Sequence, residues 1–82
     1  MMNIYVGNLS YSVTSEDLEA AFGAHGTVER AQVVSDRETG RSRGFGFVEM
    51  PDDNEARAAM EALNGSELGE RSIVVNEARP RR

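Results

Sequence analysis

The run Arg43-Gly44-Phe45-Gly46-Phe47-Val48-Glu49-Met50 decides how this chain is read. Two phenylalanines stand on alternate positions, each preceded by glycine. Along a β-strand, residues i and i+2 share a face and lie about 6.6 to 7 Å apart, so both rings project together with little beside them. Glycine at 44 and 46 weakens a strand and is expected to leave its opposite face poorly filled. The gain that offsets this weakness is a flat aromatic surface offered to a ligand, since a base stacked on such a ring contributes about 1 to 3 kcal/mol.

The rest of the chain supplies a frame for that strand. Residues 2–6 alternate, with Ile4 and Val6 on one face and Asn3 and Tyr5 on the other. Thr14 followed by Asp17 reads as a helix start, Leu18, Ala21 and Phe22 form one apolar stripe, and Gly26 is the expected stop. Residues 28–35 form a second strand, Ala31 and Val33 inward, Gln32 and Val34 outward. The polar stretch 36–42, turning at Thr39-Gly40, joins it to the aromatic strand as an antiparallel hairpin. Asp52-x-x-Glu55 opens a second helix with Ala56, Ala59, Met60 and Leu63 as its stripe and Asn64-Gly65 as its end. A last strand covers 72–77, with Ile73 and Val75 inward. The order is β-α-β-β-α-β, an α+β ferredoxin-like arrangement. Right-handed crossovers put both helices on one face of a four-stranded antiparallel sheet, with the first and third strands in its middle. Tyr5, Phe45 and Phe47 then share the face without helices.

The octapeptide resembles the longer signature of the RNA recognition motif family, K/R-G-F/Y-G/A-F-V-x-F/Y, and departs from it at the last position, where Met50 replaces an aromatic. Its six matches arise by chance on the order of 10⁻⁷ per starting position at ordinary residue frequencies. Ile4-Tyr5-Val6-Gly7-Asn8-Leu9 resembles the family's shorter signature. The segments Asp36-Arg37-Glu38-Thr39-Gly40-Arg41-Ser42 and Val75-Asn76-Glu77-Ala78 look like the single-domain subgroup of bacteria, cyanobacteria and plant glycine-rich RNA-binding proteins, here without a glycine-rich tail. The resemblance implies that Tyr5 and Phe47 each stack on a base, that Phe45 packs on the sugars between them, and that Arg43 pairs with a backbone phosphate. By the same resemblance Asn3, Gln32, Val34, Arg41, Asn76, Ala78 and Arg79 widen the contact. The partner implied is single-stranded RNA, with single-stranded DNA as a weaker ligand.

Size and composition bound the alternatives. Eighty-two residues make one domain, expected over 1–78, with 79–82 as a loose basic tail. No cysteine is present, which excludes disulfides, thiolate metal sites and a cysteine nucleophile. No signal peptide or membrane span is read in the chain, so the expected address is the cytoplasm and the expected state a monomer. The lone His25 has no second ligand in view, and the acids at 52, 53, 55, 61, 67 and 70 fit neither a calcium loop nor a two-carboxylate site. No cofactor, metal or enzymatic activity is expected. Gly44-Phe45-Gly46 lacks the third glycine and following helix of a phosphate loop.

Net charge is the awkward number: nine arginines, no lysine and fourteen acids give −5, where a nucleic-acid binder is expected to be basic. Clusters at Arg37, Arg41 and Arg43, and at Arg79, Arg81 and Arg82, are expected to make one side comparatively basic while the acids lie mainly in the two helical stretches. Tyr11 is expected to pack at the start of the first helix, and Phe22 in the core. The rival readings are a protein-interaction module of the same fold, a general RNA chaperone, and a small ferredoxin-like hydrolase. The complete triad of Tyr5, Phe45 and Phe47 favours nucleic acid over the protein-interaction module, and the hydrolase would need a preorganised arginine and asparagine site of which the sequence shows no trace.

Overall fold

The computed structural model describes residues 2–35, 38–40 and 42–78, without the side chains of Ser35, Ser42 and Arg43. Its elements are β1 (Met2–Gly7), α1 (Ser15–Gly23), β2 (Arg30–Ser35), β3 (Ser42–Met50), α2 (Asp53–Leu63), β4 (Glu67–Leu68), β5 (Arg71–Ser72) and β6 (Val74–Ala78). Strands β2, β3, β1 and β6 form, in that order, one sheet in which all neighbours are antiparallel. The centre of that sheet is β3 beside β1, as the chain order requires.

Alternation in the strands is what separates the two faces. Ile4, Val6 and Val48 are wholly buried, and with Val75 they meet Leu18 and Phe22 of α1 and Ala56 and Ala59 of α2 in a single core. Met50, where the family's signature has an aromatic, is also wholly buried. Its parity sends it to the helices, so its departure from the signature is a matter of core packing and leaves the open face untouched.

Helix ends show how side chains substitute for missing backbone partners. Thr14 and Asp17 close a reciprocal box, Asp17 N donating to Thr14 Oγ1 at 3.2 Å and Thr14 N donating to Asp17 Oδ2 at 2.9 Å. At α2 the box does not form. Asp52 accepts from the backbone of Asn54 and Glu55, while Glu55 Oε1 accepts from Thr27 N at 3.0 Å and so ties the loop after α1 to α2. This bond also moves the role of Gly26. Helix α1 stops at Gly23, where His25 N donates to Phe22 O, and Gly26 is instead a close approach, since a Cβ there would lie 2.6 Å from that of Glu55.

Two further boundaries differ from the sequence reading. Strand β2 begins at Arg30, not 28, although Glu29 N already donates to Glu49 O. The expected last strand is split: a small hairpin of β4 and β5 turns through Gly69 at φ +70°, a conformation glycine adopts without strain, and the edge strand β6 follows. Asn64 Oδ1 accepts from Val75 N, and Gly65 N donates to Ile73 O. These bonds join the end of α2 to the strand that completes the sheet.

Candidate nucleic-acid interface

Registers across the sheet place the open-face residues in rows. Tyr5 is opposite Phe47 on one side and Asn76 on the other, and Phe47 is opposite Gln32, so one row runs Gln32, Phe47, Tyr5, Asn76. Gly7 lies between Phe45 and Val74 in the next row, and Asn3 between Glu49 and Ala78 in the row on the other side. Arg30 faces Glu49 and extends that third row.

Three aromatic rings meet at the centre. Their centroids are 6.0 Å apart for Tyr5 and Phe45, 5.9 Å for Tyr5 and Phe47, and 6.1 Å for Phe45 and Phe47. Tyr5 and Phe45 are inclined by only 27°, whereas Phe47 stands edge-on to both. Such separations and edge-to-face geometry suit aromatic quadrupoles and hold the rings without covering them. Phe47 keeps 40% of its surface exposed, while Tyr5 and Phe45 are half-buried.

The glycines around the rings have distinct reasons. A Cβ on Gly7 would lie 2.7 Å from Tyr5 Oη and 2.8 Å from Tyr5 Cε2, so the tyrosine ring rests directly over Gly7. Gly44 sits at φ +84°, which a side chain would strain, and its carbonyl accepts from Leu9 N at 2.8 Å. At Gly46 the sequence reading is corrected. The face opposite the rings is well filled there, because a Cβ would run into the Gln32 carbonyl and would lie 3.1 Å from Leu18 Cδ1. Gly46 is a packing requirement of α1 and β2, and no sacrifice made for the open face.

The secondary residues divide. Gln32, Asn76 and Ala78 lie in register with the rings or beside them. Val34 is half-buried where the register between β2 and β3 shifts. Asn3 shares the face of Tyr5, and its Oδ1 is buried with no hydrogen-bond partner among the described residues. Arg37, Arg41 and Arg79, with Arg81 and Arg82, lie outside the described residues, as does the side chain of Arg43.

Three features escaped the sequence reading. Arg30 is an exposed cation whose register puts it on the open face, and strand parity with Gln32 was the signal for it. Glu49, opposite Arg30, carries an acid to the same face. Tyr11 does not pack at the helix start. It is 67% exposed, and the Arg71 guanidinium lies 5.6 Å from its ring centroid. Among the described residues no group of three or more His, Cys, Asp or Glu is placed to hold a metal, and no helix is long and apolar enough to cross a membrane.

The family model described as RNA recognition motif matches residues 4–74. The chain belongs to the RNA recognition motif family. It is 60% identical over 80 residues to RbpB of the cyanobacterium Nostoc sp., a match covering 98% of this chain and 78% of that one. The crystal structure of an RNA binding protein, PG1, superposes with a TM-score of 0.94 at 55% identity, covering 100% of this chain and 99% of the other. A Sxl-lethal protein/RNA complex superposes with a TM-score of 0.86 at 35% identity, over 94% of this chain and 47% of its own. These RNA recognition motif structures share the two helices and the four-stranded antiparallel sheet of the ferredoxin-like fold.

Proposed function

We propose that the chain is a non-catalytic binder of single-stranded RNA that takes unpaired bases on Tyr5 and Phe47, with Phe45 against the sugars between them and Arg43 toward a phosphate. The observation that carries this reading is the meeting of three rings within 6.1 Å on the sheet face that the helices leave open. A duplex keeps its bases stacked on each other, so only a single strand can offer π-faces to such a surface. Gln32 and Asn76, at either end of the central row, stand where polar side chains meet the edges of bases stacked beside them. Membership of the family and the likeness to a solved protein/RNA complex both support RNA as the ligand. Single-stranded DNA is a weaker ligand in this reading, because its sugars lack the 2′-hydroxyl.

A fluorescence titration against homopolymer and mixed single-stranded RNA, with duplex RNA as competitor, tests it. Saturable binding of single strands, with duplex at least tenfold weaker, is the expected result. Equal affinity for duplex and single strand overturns the stacking surface.

A further inference from the structure

Beyond the aromatic face, one exposed aromatic and one exposed cation are held together by the fold. Tyr11 lies in the turn after β1, and Arg71 opens β5. The two segments are fastened to each other. Asn8, held at φ +57°, donates from Nδ2 to the Ser72 carbonyl at 2.7 Å. Gly69 in the β4–β5 turn comes so near Ser10 and Val13 that a Cβ there would lie 3.2 and 3.3 Å from their side chains. The hairpin is fixed at its other end by Ile73 N donating to Ser66 O at 2.9 Å. Arg71 is thus carried on an anchored scaffold, and its guanidinium is steadied over a ring.

This pair stands at the end of the sheet to which the Tyr5 ring points. That ring rests over Gly7, Gly7 is opposite Val74, and Val74 keeps 45% of its surface exposed. Arg71 precedes Val74 by three residues, a span of about 10 Å at most. A strand that leaves Tyr5 along its ring, toward the end of the sheet where Gly7 faces Val74, therefore heads for the segment that carries the Arg71 guanidinium. An exposed cation–π contact adds little to stability, but it limits the rotamers of a long side chain before any ligand arrives, which lowers the ordering cost of a contact.

Resting on the reading of the sheet face as an RNA surface, we propose that Tyr11 and Arg71 form a second contact for the same strand. Arg71, oriented by Tyr11, receives the backbone phosphate of a nucleotide beyond the one stacked on Tyr5. The ligand class is a single-stranded nucleic-acid backbone of more than two nucleotides, and the contact carries no base preference.

The test compares Arg71→Ala, Tyr11→Leu and Phe47→Ala with the parent chain, titrating a two-nucleotide and an eight-nucleotide single-stranded RNA over a range of salt. Thermal unfolding of each variant checks that it is folded. Arg71→Ala is expected to weaken the octamer about three- to tenfold, to lower its salt slope by about 0.7, and to leave the dinucleotide unchanged. Tyr11→Leu should show the same pattern in weaker form. Unchanged octamer binding by a folded Arg71→Ala overturns the proposal while Phe47→Ala still reports on the aromatic face. Loss with Tyr11→Leu but not with Arg71→Ala also overturns it, since the ring would then act by itself. A parent chain that binds neither oligomer defeats the aromatic face and the second contact together.

Discussion

Replacing Gly7 by alanine should separate binding from stability, because this glycine lies beneath the Tyr5 ring of the proposed binding face. The new Cβ would stand 2.7 Å from Tyr5 Oη, 2.8 Å from Cε2 and 3.0 Å from Cζ, whereas ordinary carbon contacts lie at about 3.5 to 4.0 Å. The outer edge of the ring must therefore move by roughly 1 Å. Tyr5 can do so by turning about its own side-chain bonds, at about 0.5 to 1.5 kcal/mol for a rotation of some 30° off its rotamer. Alanine offsets much of this by restricting the unfolded chain, about 0.4 to 1 kcal/mol. Stability should change by less than about 1 kcal/mol, which is a melting shift of no more than about 4 to 8 °C in a chain of this size. Binding has no such compensation. A tilted ring loses a large part of a stack of about 1 to 3 kcal/mol, so affinity for a single-stranded RNA should fall about five- to thirtyfold. Gly46→Ala is the matched control on the other face. There the Cβ meets the Gln32 carbonyl, the Val33 Cα and Leu18 Cδ1, and backbone cannot swing aside, so overpacking should cost about 1 to 3 kcal/mol of stability or more. Fluorescence anisotropy and thermal unfolding of both variants provide the comparison. A Gly7→Ala protein that binds normally, or one that unfolds while Gly46→Ala is tolerated, would refute the assignment of the two faces.

Phe47→Ala should lower RNA affinity by about 1 to 3 kcal/mol with little change in melting temperature, since 40% of its surface is already exposed. Phe22→Ala should do the opposite in urea unfolding, losing roughly 3 to 5 kcal/mol through a core cavity, because that ring is wholly buried. Thr14→Ala removes one half of the box at the start of α1 and should cost about 0.5 to 2 kcal/mol of stability, read from the shift in urea midpoint. With a net charge of −5 and about two to four phosphates neutralised, the plot of log K against log salt should have a slope of roughly −1.5 to −3, and one steeper than about −5 would point to a larger basic surface.

Much of the fold was legible because its signals were redundant. Parity in residues 2–6 and 43–50 put Ile4, Val6 and Val48 on one face and Tyr5, Phe45 and Phe47 on the other, and the sheet order followed from the chain order. What stayed hidden depends on contacts between segments far apart in sequence. The role of Gly46 is set by Leu18 and by the β2 backbone, and that of Gly26 by Glu55, twenty-nine residues later. Glu55 looked like a partner for its own helix start, but the Thr27 amide claims its carboxylate. The β4–β5 hairpin has only two residues in each strand, too few for an alternating pattern to register. Tyr11 misled because an aromatic beside a helix start reads as a packing residue, and only the placement of Arg71 shows its ring turned outward.

The central claim, that unpaired bases on the aromatic face carry the complex, is tested most directly by removing bases while keeping every phosphate. An eight-nucleotide single-stranded RNA and an abasic backbone of the same length would compete for the chain at fixed salt. If Tyr5 and Phe47 each hold a base, at about 1 to 3 kcal/mol per stack, the abasic strand should bind about thirtyfold more weakly or worse. Equal affinity of the two strands would contradict the claim and leave only attraction for phosphate.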